Sequence, residues 1–158
     1  MDMSPHTYDI HIADDGRWYH EGGEIKRMGL VKLFASVLSY ENAQYWLRTP
    51  AEEGVITVAD APFIITSCDI SGSGDSQLVI CEDNLQRHWH LGPEHPLEMR
   101  AGLRAGEPRP YMHLEKGLVA RLARPVFYAL ADKAAFDAAG RAGIWSGGHW
   151  FPLEPNED

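Results

Sequence analysis

Between Gln44 and Leu114 the chain reads as a succession of short β-patterned runs separated by turn chemistry, and this stretch limits the folds open to it. Tyr45 to Leu47 forms one run, ended by Thr49-Pro50, and Val55 to Val58 forms the next. Ala61-Pro62 marks an edge or corner, because proline cannot donate to a strand ladder. Phe63 to Ile70 follows, then a flexible Ser71–Asp75 loop. Gln77 to Cys81 and Leu85 to His90 read as a hairpin around Glu82-Asp83-Asn84. Leu97 to Leu103, and Tyr111 to Leu114 after the Pro108/Pro110 loop, add further strands.

Two helical stripes and two more hairpins flank this stretch. Tyr8, Ile10 and Ile12 alternate with Asp9 and His11, the period of a half-buried strand. Asp14-Asp15-Gly16 supplies the turn into a second strand, Arg17 to His20, closed by Gly22-Gly23. Leu30, Val31, Phe34, Val37 and Leu38 recur at helical spacing and predict a helix over 26–39, with Asn42 as its stop. Leu118, Val119, Leu122, Val126, Phe127 and Leu130 predict a second helix over 115–138, kinked at Pro125. Ile144 and Trp145, then Gly147-Gly148, then Trp150 and Phe151 read as a closing hairpin, with Pro155 to Asp158 a frayed tail. Strand runs punctuated by a helix in each half place the chain in the α+β class.

The chain has 158 residues, 44% of them hydrophobic and 23% charged, enough for one domain or two tightly joined halves. No apolar run approaches the roughly 20 residues of a membrane span. The first residues carry neither a basic region nor an apolar core, so the expected compartment is the cytoplasm. Cys68 and Cys81 lack a CxxC spacing and read as reduced, partly buried thiols. A net charge of −9 disfavours nucleic acid and anionic membranes. The segment from Arg100 to Arg124 runs against that balance, with Arg100, Arg104, Arg109, Lys116, Arg121 and Arg124 against only Glu107 and Glu115. It reads as a solvated helix face plus loop, with an anion-binding patch as the alternative.

Catalytic signatures are sparse. There is no P-loop and no GxGxxG after a strand, and Gly72-Ser73-Gly74 lacks the spacing of a nucleophile elbow. His88, His90 and His95 form the best cluster, since residues two apart on a strand face the same side. Cys81, Glu82 and Glu94 could complete a zinc set, but the spacing matches no zinc signature. Glu52, Glu53 and Asp60 flank a short strand, and Asp60 before Ala61-Pro62 reads most simply as bonding its own turn. Trp18, Trp46, Trp89, Trp145 and Trp150 fall on expected strands, where an exposed ring beside Arg109 or Arg121 would make a stacking surface. Asp15–Trp18 before the first helix and Gly143–Trp145 after the second form a weak internal echo that permits a duplication.

Several stretches together resemble the bacterial family called domain of unknown function 1285 (DUF1285). They are Asp15-Gly16-Arg17-Trp18, Leu33 to Leu38, Thr49-Pro50 with Glu52, Val58 to Phe63, His95-Pro96-Leu97, Pro110-Tyr111, Leu118 through Arg121 to Tyr128, and Trp145-Ser146-Gly147. The resemblance spans about residues 8 to 153. It implies a duplicated core of antiparallel strands with one main helix per half and a pleckstrin-homology-like C-terminal half. It also implies a groove between the halves that binds a protein or nucleic acid, with a role in signalling. Glu53 stands where the family usually has a lysine, Ala59 where it has an acidic residue, and Glu115 near an expected arginine. Two of these departures make the surface less basic, which weakens a nucleic-acid role.

The expectation is therefore an N-terminal α+β half over 1–73 and a C-terminal half over 74–158, packed as one unit. The leading functional reading is a ligand- or partner-binding module, not an enzyme, with no cofactor and no bound metal. Its expected groove residues are Arg27, Thr49, Glu52, Asp60, His95, Tyr111 and Arg121. The rivals are a metal-dependent enzyme using His88, His90 and His95, and a nucleic-acid binder using Arg100 to Arg124.

Overall fold

The computed structural model describes residues 5–101 and 108–155. Its chain contacts divide into two compact units, Met1–Pro62 with Lys116–Leu118, and Phe63–Glu115 with Val119–Asp158. No helix among the described residues is long and apolar enough to cross a membrane.

The first unit contains β1 (Thr7–Ile12), β2 (Trp18–His20), β3 (Gly23–Glu24), α1 (Met28–Ser36), β4 (Leu38–Glu41), β5 (Gln44–Arg48) and β6 (Glu53–Val58). Its sheet runs β3-β2-β1-β6-β5-β4. Neighbours are antiparallel except β1 and β6, which are parallel. The first hairpin forms where expected: Gly16 takes φ 85°, and Asp15 Oδ1 accepts the Arg17 N–H at 3.0 Å. Helix α1 buries Val31 and Ala35, and Phe34 stacks on the fully buried Trp18 with centroids 6.1 Å apart. The helix is shorter than 26–39. Leu38 instead begins β4, fully buried and paired with Leu47, because a strand buries that side chain in the sheet. Asn42 and Ala43, at φ 53° and 62°, then turn β4 into β5; consecutive positive φ values mark a type I′ hairpin.

The second unit contains β7 (Phe63–Ser71), a short 3-10 turn (Gly74–Ser76), β8 (Leu78–Asp83), β9 (His88–His90), β10 (Leu97–Arg100), β11 (Arg109–His113), β12 (Val119–Leu122), α2 (Arg124–Asp132), β13 (Ala135–Phe136), β14 (Ala142–Ser146) and β15 (His149–Pro152). Its larger sheet runs β10-β11-β12-β7-β8-β9, and only β12 and β7 are parallel. A second sheet, β13-β14-β15, carries the closing hairpin, with Gly147 and Gly148 at positive φ in its turn. Leu97, Met112, Ala120 and Phe63 form one buried row across four strands.

The long second helix does not form. Leu118, Val119, Ala120 and Leu122 are all buried, and Val119–Leu122 is a central strand between β11 and β7. An apolar run broken only by the half-buried Arg121 suits a strand largely covered on both faces. Pro125 sits in the first turn of α2 and starts the helix rather than kinking it, since its missing N–H lies where helical N–H groups have no partner anyway. Of the Leu97–Leu103 strand, residues 97–100 are observed and residues 102 and 103 lie outside the described residues.

Both six-stranded sheets share one plan. Each holds two three-strand meanders, and the sixth strand lies parallel beside the first, in the order third, second, first, sixth, fifth, fourth. The core is thus an α+β duplication built from mixed sheets. The helix differs in place: α1 joins the third and fourth strands of its unit, while α2 follows the sixth. The sheet order does not confirm the pleckstrin-homology likeness expected of the second unit.

Candidate functional site

Arg27, Thr49, Glu52 and Asp60 lie in the first unit. Arg27 is the exposed residue preceding α1 and makes no side-chain cap. Thr49 and Glu52 come together and close a corner between β5 and β6. The Thr49 N–H donates to the Glu52 carbonyl at 2.9 Å, and the Thr49 hydroxyl accepts from the Glu52 N–H at 3.1 Å. Desolvation, then the Glu52 carboxylate, pushes the Tyr8 hydroxyl above its ordinary range. Glu53 pairs with Arg48, whose guanidinium also bonds Glu41 and lies over the Trp46 ring. Asp60 is half-buried at the end of β6.

His95, Tyr111 and Arg121 lie in the second unit. Tyr111 pairs with Arg121 on one side and Glu98 on the other, so the three share one face of the sheet. Glu98 accepts from Arg100 Nε at 2.9 Å and lies 2.6 Å from His113 Nε2. Arg100 first, then His113, holds the Glu98 carboxyl below its usual range. The Arg100 guanidinium stands 4.5 Å over the buried Tyr111 ring. The basic segment does not form one helix face. Arg100, Arg109 and Arg121 lie on three strands and Arg124 in the first turn of α2. Lys116, in the first unit, donates to the Ser36 carbonyl at 3.0 Å, while Arg104 and Glu107 lie outside the described residues.

His88, His90 and His95 do converge. With Leu78, Trp89, Leu91, Pro93 and Glu94 they line an open depression of about 590 Å³ in the second unit. His95 meets the edge of Trp89, with centroids 5.2 Å apart, and its Nδ1 lies 3.2 Å from the carbonyls of His113 and Leu114. That nitrogen therefore carries a proton for carbonyls. Among the described residues no group of three His, Cys, Asp or Glu could hold a metal ion. The histidine trio lines the depression.

Two buried polar residues that sequence reasoning passed over shape this depression. Asp83 is 1% exposed and accepts four hydrogen bonds. Oδ1 takes the N–H groups of Leu85 (2.8 Å) and Arg87 (3.0 Å), and Oδ2 takes Arg87 Nε (2.8 Å) and Trp89 Nε1 (3.0 Å). It thereby fixes both the β8–β9 turn and the Trp89 indole. Arg87 completes a stack, 4.2 Å over Phe63 and 5.2 Å from Trp89. Ser146 is fully buried and takes the place of a ladder bond: its hydroxyl accepts from Val79 N–H (2.8 Å) and donates to the Leu91 carbonyl (2.5 Å). The sequence signals were Asp83 at the head of a turn with aromatic and basic residues following, and a serine before the Gly147-Gly148 turn.

The depression lies along a sheet edge, since β9 ends its sheet. The Asp83 N–H bonds the Arg87 carbonyl and the Leu91 N–H bonds the Val79 carbonyl, both at 2.9 Å. The backbone groups of Arg87, Trp89 and Leu91 therefore point toward β8. Those of His88 and His90, the alternating residues, point away from the sheet.

The N-terminal domain of the DUF1285 family of unknown function matches residues 4–61, and its C-terminal domain matches residues 62–153. A crystal structure of a DUF1285 family protein from Silicibacter pomeroyi DSS-3 is 35% identical with a TM-score of 0.88, covering 96% of this chain and 84% of the other. A second, from Shewanella baltica OS155, is 25% identical with a TM-score of 0.62, covering 80% of this chain and 92% of the other. No protein of curated function matches the chain.

Proposed function

The chain belongs to the DUF1285 family, and from that premise we propose that it is a non-enzymatic binding module that takes an extended segment of a partner protein along β9. The observation that carries this reading is the open edge at His88 and His90 beside the depression lined by Trp89, Leu91 and Pro93. Two outward N–H groups and two outward carbonyls at strand spacing match the backbone of another extended chain, which gives affinity through main-chain bonds. The apolar floor then selects a side chain of the added strand, since alternate residues face the same side. A three-residue edge is too short to bury the roughly 1,000 Å² of a stable homodimer, which favours a peptide over a second copy.

His95 belongs to this site directly. The reading assigns Thr49 and Glu52 to their corner, and Tyr111 and Arg121 to the face organised around Glu98. Arg27 and Asp60 are given no contact with the partner. A role in signalling would follow from such partner recognition, and the compartment proposed is the cytoplasm.

Random peptides displayed on phage and selected against the full chain test the proposal. Selected peptides should share an apolar residue within an extended stretch. N-methylation of alternate backbone nitrogens should abolish binding in one register and spare it in the other. Equal tolerance of both registers, or binding unchanged in a His90→Pro variant that keeps its fold, would refute strand addition. A small molecule competing at the depression while no peptide binds would move the function to a ligand site.

A further inference from the structure

The chain has two cysteines, and β7 and β8 place them directly opposite one another: Cys68 is the register partner of Cys81. The kind of pair follows from the bonds to β9. Val79 and Asp83 direct their backbone groups toward β9, and Cys81, between them in the same alternation, does so too. Asn84, of the other set, donates to the Ile64 carbonyl toward β7 at 2.8 Å. Cys68 and Cys81 are therefore a non-hydrogen-bonded pair. Such partners stand with Cα atoms about 4.5 Å apart and side chains on one face. A disulfide accepts Cα separations of about 4.4–6.8 Å, so the pair falls inside the range at its short, strained end. Strained disulfides are the easily reduced, regulatory kind.

We propose that Cys68 and Cys81, both free thiols in this structure, form a reversible redox pair that closes into a cross-strand disulfide by exchange with a small-molecule disulfide. Cys68 is half-buried and Cys81 fully buried, so Cys68 reacts first. Its thiol gives up a proton, and the thiolate attacks one sulfur of the oxidant, forming a mixed disulfide and expelling one thiolate. Cys81 then loses its proton and attacks the Cys68 sulfur, forming the Cys68–Cys81 bond and expelling the second thiolate. The two cysteines lose two electrons and two protons, and the oxidant becomes two thiols. Burial pushes the Cys81 thiol up to about 12, and desolvation raises Cys68 as well. Closure is therefore slow at neutral pH and accelerates in alkali. Cys81 is also the register partner of Trp89, so the bond would fasten the sheet one strand from the depression. The proposal does not depend on what β9 binds.

The test treats the reduced full chain with oxidised glutathione at mildly alkaline pH, followed by intact mass and by thiol titration after denaturation. The expected result is joint loss of both thiols, a monomer lighter by two hydrogens, and full recovery with dithiothreitol. The Cys81→Ser variant should stop at a glutathione adduct on Cys68, which establishes that the reagent reaches it. A stable adduct on the wild-type chain, an intermolecular dimer, or no reaction of either thiol would overturn the proposal.

Discussion

Replacing Asp83 by Asn tests whether one buried carboxylate organises the β8–β9 end of the sheet. The substitution keeps the side chain's shape and removes one acceptor. An amide oxygen can serve the backbone donors of Leu85 and Arg87, or the side-chain donors Arg87 Nε and Trp89 Nε1, but not both sets. In either orientation an NH₂ group faces two N–H donors. Each buried donor left without an acceptor costs about 1–3 kcal/mol. The Arg87 side chain is 30% exposed and can turn to water, which discounts its share. The net cost is then about 2–4 kcal/mol, or a fall of roughly 5–15 °C in the thermal midpoint. Urea unfolding followed by tryptophan fluorescence reads this directly. The Arg87→Met variant supplies a coupling check: without the guanidinium, Asp83→Asn should cost less, because one orphaned donor is gone. A loss below about 1 kcal/mol for Asp83→Asn, where a buried acceptor normally counts for more, would refute the reasoning and leave the strand ladder as the organiser.

Three further outcomes are expected. Ser146→Ala removes the hydroxyl between the Val79 N–H and the Leu91 carbonyl and should cost about 1–3 kcal/mol, with faster amide exchange at Val79 in deuterium-exchange NMR. Ala43→Gly, at an exposed turn position with φ 62°, should stabilise by about 0.5–1 kcal/mol in urea unfolding, because glycine accepts that backbone without a Cβ penalty. Glu98 has its folded pKa depressed by Arg100 and His113, so its contribution is present above its ordinary titration range and lost as pH falls through the lower folded value. Glu98→Gln should flatten the acid limb of a stability-versus-pH curve without changing its slope above neutrality.

The strands were legible where one face is buried and the other wet, since period two then appears in the sequence. β1, β5, β8 and the β14–β15 hairpin fall close to their expected places. Legibility failed where burial is two-sided. Leu118 to Leu122 is apolar except for the half-buried Arg121, and such a run fits a buried strand and a buried helix equally well. Pro125 held the deciding information, because a proline reads more naturally as a first helical turn than as an interior kink. Val37 and Leu38 misled in the opposite direction by continuing the stripe of α1 into what is β4. The strand break at Thr49-Pro50 was visible because its chemistry is local. Asp83 was not, because a turn aspartate exposed to water and one accepting four buried hydrogen bonds look alike in sequence.

The cysteine pair shows why register stays hidden even where strands are found. Along β7 and β8, Ile65 pairs with Asp83, but an irregularity follows and Ser67 pairs with Glu82. Without that shift Cys68 would face Ile80 and Cys81 would face Ser67. Because side chains alternate, a slip of one residue moves each to the other face of the sheet. One extra residue in β7 thus decides whether the two thiols share a face or are separated by the sheet. A bulge of this kind has no compositional mark in Ile65-Thr66-Ser67, so neither periodicity nor cysteine spacing could have revealed the pair. The same shift ties the redox proposal to the fold: deleting Thr66 removes the extra residue, leaves Ser67 opposite Glu82 and Cys68 opposite Cys81 in a regular ladder, and should preserve disulfide closure. Loss of closure in a folded Thr66-deleted chain would show that the pairing in β7 and β8 is not what brings the thiols together.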